Sequence, residues 1–148
     1  GAVMNGTPGQ VIVEPINSLD FVLALGPSFV ARSYSGEPDH MTEIFRLALR
    51  HKGFAYLEVL QTCPTYNKIT PDAWYAERVR DVAGLKDYNR EDVWQARKLV
   101  EDMENNIHIG LLYENKAKLD FLSLQESRKG VGTTLVEEVK EYGVGGLV

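Results

Sequence analysis

One cysteine, Cys63, stands in a chain of 148 residues. A disulfide framework within the chain is therefore excluded, and so is any metal site that needs paired cysteines close together. The single thiol suits a reducing compartment. No apolar stretch is long enough to span a bilayer. The start, Gly1-Ala2-Val3-Met4, carries neither a basic segment nor a long apolar core, so it does not read as a secretory leader. Cationic runs are also missing: the densest is Arg50-His51-Lys52, and the net charge is -5. Electrostatic steering toward nucleic acid is not expected. The absences together suggest a cytoplasmic protein with no membrane and no nucleic-acid partner.

What is present is ordinary for one folded domain. Charged residues make up 25% and hydrophobic residues 44%, and a chain of this length can bury a sizeable core. No internal repeat is visible. The first ten residues read as a loop, and the glycines of Gly6-Thr-Pro-Gly9 lack the Lys-Ser/Thr of a phosphate loop. Val11 to Val13 could begin a strand or an extended lead.

The periodicity then predicts a run of elements. Ser18 is placed to cap a short helix over Leu19 to Leu25, which Gly26-Pro27 ends. Phe29 to Tyr34 reads as a strand, and Ser35-Gly36-Glu37-Pro38 as a turn into a helix. That helix runs from Pro38 to about Lys52, with Met41, Ile44, Phe45, Ala48 and Leu49 on one apolar face. Gly53 closes it, and Phe54 to Leu60 follows as a buried strand. Strand, helix, strand with short joints is a βαβ unit with parallel strands.

Gln61 to Pro71 forms the loop after the second strand. Loops at the carboxyl ends of parallel strands are where α/β proteins place their chemistry, and this one holds Cys63, Pro64, Thr65, Tyr66 and Asn67. A helix from Pro71 to Val82 follows, then one capped by Asn89 over Arg90 to Glu104 with a stripe of Val93, Ala96, Val100 and Met103. Asp92 can complete that capping arrangement. Ile107 to Tyr113 reads as a last strand. Thr134 and Glu137 offer a capping box for a helix over Leu135 to Tyr142, and Gly143, Gly145 and Gly146 make a loose tail.

From composition alone a lone cysteine reads as a small buried hydrophobe. His40, His51 and His108 are not at zinc-ligand spacing. His40 reads as solvated at a helix start, His51 as serving a helix C-terminus, and His108 as a hydrogen-bonded strand residue. Glu58 lies in an apolar strand, where a core-facing carboxylate would need a partner or a raised pKa; an edge or solvent-facing position is the simpler account. Trp74, Tyr75 and Trp94 read as packing anchors or interface residues. No catalytic residue is identified.

Phe29-Val-Ala-Arg-Ser-Tyr-Ser-Gly36, His51-Lys-Gly-Phe54, Leu57-Glu-Val-Leu-Gln61 and Cys63-Pro-Thr-Tyr-Asn67 form a specific combination. Tyr75, Glu77-Arg78 and Ile109-Gly-Leu-Leu-Tyr-Glu114 add to it. The combination resembles the C-terminal half of the β subunit of the 2-oxoacid:ferredoxin oxidoreductases, the pyruvate and 2-oxoglutarate enzymes among them. The resemblance implies an α/β fold, the C-terminal half of a doubly wound thiamine-diphosphate-binding domain with a mainly parallel sheet, plus a helical C-terminal extension. Residues 1–82 would finish the cofactor domain and residues 83–148 would form the extension. The complete enzyme would carry thiamine diphosphate, Mg²⁺ and a [4Fe-4S] cluster. It would work with an α subunit, ferredoxin, a 2-oxoacid and coenzyme A.

Within that family pattern Cys63, followed by Thr65 and Asn67, matches the segment carrying the fourth cluster ligand. The chain has no Cys-x-x-Cys and no Gly-Asp-Gly followed by an asparagine that would hold Mg²⁺ and the diphosphate. Gly26-Pro27 also replaces a run of small residues. The expectation is a C-terminal fragment that is inactive alone and holds no cofactor by itself. Two other readings stay open: a non-catalytic interaction module reusing this half-fold, and part of another thiamine-dependent decarboxylase. The cysteine loop argues against the latter, which has no cluster to ligate.

Overall fold

A computed structural model of the chain describes residues 15–102 and 105–142. Val11 to Val13, the Gly6 to Gly9 segment, Met103 and the Gly143 tail lie outside the described residues. The first helix, α1 (Ser18–Ala24), is capped by Asn17, whose side-chain oxygen accepts from the Asp20 amide at 3.1 Å. Ser18, the expected cap, does not take that role. Its hydroxyl instead donates to the Glu58 carboxylate across the fold, and a neighbouring asparagine is at least as good a cap. Leu19, Val22 and Leu23 turn their side chains inward.

Strand β1 (Phe29–Tyr34) is buried along its whole length. Helix α2 (Pro38–Arg50) starts with proline at its first position, where the missing N–H costs nothing. Gly53, at φ 136°, turns the chain into β2 (Ala55–Leu60). β1 and β2 pair in parallel, from Phe29 opposite Ala55 to Tyr34 opposite Leu60. This is the expected βαβ unit. The expected apolar face of α2 is only partly used: Ile44 is buried, whereas Phe45 is 44% and Leu49 84% exposed.

The helix expected from Pro71 to Val82 is shorter. It ends as α3 (Asp72–Arg78), and Val79–Asp81 leave it as a short strand, β3. Pairing with Ile107 to Ile109 satisfies the backbone groups that another helical turn would have used. A single 3₁₀ turn over Val82–Gly84 follows. Helix α4 (Val93–Glu101) begins later than expected. Asp92 accepts from the amides of both Trp94 and Gln95, while Asn89 accepts from the Glu91 amide in a turn one step earlier. Strand β4 (Ile107–Glu114) completes the sheet.

The sheet order is β2-β1-β4-β3. Both outer pairs are parallel, and the central β1–β4 pair is antiparallel, with a register shift between Val30 and Ala31. The fold is thus mixed α/β with a mostly parallel sheet. β2 sits at an edge and is only partly buried, not enclosed as its apolar sequence suggested. Alternation along β1 divides the core. Val30 joins Leu19, Val22, Leu23, Ala96, Val100, Leu112 and Tyr113 on the side of α1 and α4. Phe29 and Ala31 join Ile44 on the side of α2. Each fully buried Leu or Phe contributes about 1.5–3 kcal/mol of transfer free energy.

The chain divides into two compact units, Gly1–Lys118 and Leu119–Val148. The boundary expected after residue 82 falls inside the sheet, because β4, from the segment assigned to the extension, pairs with both β1 and β3. In the second unit, helix α5 (Leu135–Tyr142) carries the predicted capping box. The Thr134 amide donates to Glu137 Oε2 at 2.6 Å, and the Glu137 amide to Thr134 Oγ1 at 3.2 Å.

Candidate functional site

The parallel pair β1–β2 ends on one side with Tyr34-Ser35-Gly36 and Gln61-Thr62-Cys63. Cys63 is exposed rather than buried, so the small-hydrophobe reading does not hold. Its loop is ordered by its own backbone. The Asn67 amide donates to the Cys63 carbonyl at 2.9 Å, closing a turn over Pro64 to Tyr66. Asn67 then fixes the exit: its Oδ1 accepts from the amides of Ile69 and Thr70, and its Nδ2 donates to Thr70 Oγ1.

The Tyr66 N–H does most to pull the Cys63 thiol below its ordinary range; desolvation opposes it, and the Thr65 and Asn67 N–H groups add lesser pulls in the same direction as Tyr66. The thiolate is the form that ligates metals and attacks electrophiles. A sulfur fed by backbone donors is suited to carry negative charge.

A second set of contacts ties this loop to the rest of the fold. Asp72, at the start of α3, accepts on one oxygen from both Tyr34 Oη at 2.9 Å and Thr62 Oγ1 at 2.7 Å. The Thr62 and Tyr34 hydrogen bonds hold the Asp72 carboxyl below its usual range. Burial and the Asp72 carboxylate push the Tyr34 phenol up to about 12. The Tyr34 ring is 3% exposed and stacks on Tyr75 at 5.3 Å. Gly36 has no room for a side chain, since a Cβ there would lie 2.3 Å from the Tyr34 ring. Two depressions flank Asp72. One of about 360 Å³ is bounded by Ser35, Gly36 and Gln61, and one of about 220 Å³ by Pro64, Asn67 and Lys68.

The other residues singled out from sequence are not at this site. Glu58 faces inward, and its carboxylate takes Arg32 Nε at 2.6 Å. Its strand is the edge strand β2, as the simpler account expected, but the half-buried side chain is not solvent-facing, and the ion pair supplies the partner it requires. His40 is largely covered, not solvated. Its Nε2 lies 3.9 Å from Asp81 Oδ2. It lines a cavity of about 540 Å³ between α2 and residues 81–91, apart from the Cys63 turn. His51 caps α2, and its Nε2 lies 2.9 Å from Ser28 Oγ. His108 Nδ1 lies 3.3 Å from the Leu99 carbonyl. Trp74 packs under the Arg78 guanidinium at 4.5 Å, whereas Trp94 is 72% exposed.

Sequence reasoning missed Tyr34, Thr62 and Asp72 as a group. Three such polar residues, spread over 39 positions, show no spacing; their link lies in the parallel register, which puts Tyr34 opposite Leu60.

No group of three or more His, Cys, Asp or Glu side chains among the described residues is placed to hold a metal ion. An iron–sulfur cluster takes four such ligands. Cys63 fits the demands of one corner: it is exposed and its thiol is drawn toward the thiolate.

Residues 63–128 match the family described as the C-terminal part of the pyruvate ferredoxin oxidoreductase beta subunit. Over 118 residues the chain is 33% identical to the 2-oxoacid:ferredoxin oxidoreductase subunit beta of a Sulfolobus species, covering 74% of this chain and 39% of that one. It is 34% identical over 73 residues to the 2-oxoglutarate oxidoreductase subunit KorB of Mycobacterium tuberculosis, covering 49% of this chain and 20% of that one. The fold is similar to that of the 2-oxoglutarate:ferredoxin oxidoreductase from Magnetococcus marinus, solved with 2-oxoglutarate, coenzyme A and succinyl-CoA bound. The TM-score is 0.74 at 28% identity, over 92% of this chain and 46% of that chain. The chain spans about two fifths of the length of the archaeal 2-oxoacid:ferredoxin oxidoreductase β subunits it matches.

Proposed function

We infer that this chain, a homologue of the β subunits of 2-oxoacid:ferredoxin oxidoreductases, serves as the C-terminal part of such a subunit and presents Cys63 as one thiolate ligand of a [4Fe-4S] cluster. The observation that carries the reading is the Cys63 turn. It places an exposed sulfur at the carboxyl ends of β1 and β2, in a turn whose backbone, the Tyr66 N–H above all, draws the thiol toward its ionised form. Those donors favour the thiolate, and N–H groups directed at cluster sulfurs are among the features that set a cluster's potential.

The reaction is oxidative decarboxylation of a 2-oxoacid to an acyl-CoA, with electrons passed to ferredoxin. When bound, thiamine diphosphate with Mg²⁺ supplies the decarboxylation chemistry and the iron–sulfur cluster the one-electron steps. This chain supplies one sulfur, the turn that orients it, and the sheet end on which the turn is built. The remaining cluster ligands and the residues that would hold the diphosphate belong to the rest of the complex. The chain alone is expected to be inactive. Its partners in this reading are an α subunit, ferredoxin, a 2-oxoacid and coenzyme A, in the cytoplasm.

The test is anaerobic expression of the β subunit that contains this segment together with an α subunit, with iron and acid-labile sulfide measured for the parent and for Cys63→Ser. A cluster that is lost or made labile by the substitution supports the assignment. Unchanged iron and sulfide remove it, and an interaction module built on the same half-fold becomes the better account.

A further inference from the structure

The Cys63 loop has no hydrophobic anchor of its own. Pro64, Thr65 and Tyr66 are exposed, and Tyr66 is 57% exposed. A loop so built keeps a fixed shape only if something polar holds its ends. The exit is held by Asn67 locally. The entry, Thr62, is held by a carboxylate from another element, which is held in turn by a buried phenol from the strand beside it.

We infer that Tyr34, Thr62 and Asp72 are positioning residues that clamp the entry of the Cys63 turn to the end of β1. This rests on the reading of Cys63 as a cluster ligand for its purpose, although not for its geometry. The arrangement has a direction. Tyr34 is fixed first, by burial in β1 and by its stack on Tyr75. Its hydroxyl orients one oxygen of Asp72, and that same oxygen receives Thr62, adjacent to the cysteine. Hydrogen bonds to an ionised acceptor are about twice as strong as neutral ones, so the carboxylate is the hub. Gly36 is part of the same device, because any side chain there would displace the Tyr34 ring.

The clamp should hold while Asp72 is ionised. Its carboxyl is held below the usual range, so the folded state gains from the ionised form. That gain is complete above the ordinary carboxylate pKa and is lost as pH falls through the lowered one.

The test uses Tyr34→Phe and Thr62→Val in the 148-residue chain, both of which keep the carboxylate. Two quantities are read: hydrogen exchange of the amides of residues 65–67, and the pH profile of Cys63 alkylation. We expect roughly tenfold faster exchange in either variant, as for loss of one hydrogen bond to a charged group. We also expect the alkylation midpoint to move upward as the turn loses its shape. Tyr88→Phe is the control, because Tyr88 donates to the Leu112 carbonyl in β4 and its loss should move thermal stability but not the Cys63 profile. If both loop variants keep the parent exchange rates and profile, the clamp is overturned. If Thr62→Val alone shows the change while Tyr34→Phe unfolds the chain, the clamp stands on Thr62 and Asp72. The cluster reading fails separately, through unchanged iron in Cys63→Ser.

Discussion

Arg32 is the least expected residue of the core. It is 1% exposed in the middle of β1, with its Nε on Glu58 and its Nη1 without a hydrogen-bond partner among the described residues. Register explains the pairing, since Arg32 lies directly opposite Glu58 across β1 and β2. Ser18 adds a second donor to the same carboxylate. Desolvating both groups is expensive, so the pair as a whole need not stabilise the fold, whereas breaking it strands a buried charge. Glu58→Ala is expected to lower unfolding free energy by about 3–5 kcal/mol. The double change Arg32→Met with Glu58→Leu should recover most of that. Urea denaturation of the set decides it; a double variant as unstable as the single one would place the loss in packing rather than in the stranded charge.

At the scale of elements, what is legible in the sequence is what repeats locally. β1 is legible to the residue because six consecutive positions are buried in a strand bounded by Pro27-Ser28 and a Ser-Gly turn. The Thr134–Glu137 box is legible because both partners sit within one turn. β3 is hidden because Val79-Arg80-Asp81 continues the chemistry of a helix, and only its pairing with β4, far along the chain, makes it a strand. Cys63, Glu58 and His40 escape a sequence reading for a related reason: their exposure depends on register and on distant neighbours. The start of α4 depends on which of two candidate caps wins. Asn89 spends its oxygen on Glu91, leaving the orphan amides of Trp94 and Gln95 to Asp92. Asp92→Ala should therefore cost about 1 kcal/mol, while Asn89→Ala should cost less. Paired thermal melts of the two variants give the answer, and equal losses would return the cap to a shared arrangement.

For the whole molecule, the decisive fact is that the sheet is not completed until Glu114. β1 and β2 bring the candidate site together, but β4 covers the other side of β1 with an antiparallel pairing and carries Leu112 and Tyr113 into the main core. α4 supplies Ala96 and Val100 to the same cluster. A division after residue 82 would leave β1, an entirely buried strand, with an open side and much of its apolar contact gone. Truncation after Val82 is therefore expected to abolish cooperative unfolding, because each lost Leu- or Val-sized contact is worth about 1.5–3 kcal/mol against the small net stability of a domain. Truncation after Lys118, at the limit of the first compact unit, should keep the far-ultraviolet circular dichroism of the sheet and a single thermal transition. It should also keep the alkylation profile of Cys63, since the hydrogen bonds of Tyr34, Thr62, Asn67 and Asp72 that shape the turn lie within residues 34–72. A cooperative transition in the shorter chain would make residues 1–82 a domain in their own right and would remove β4 from the structural requirements of the site.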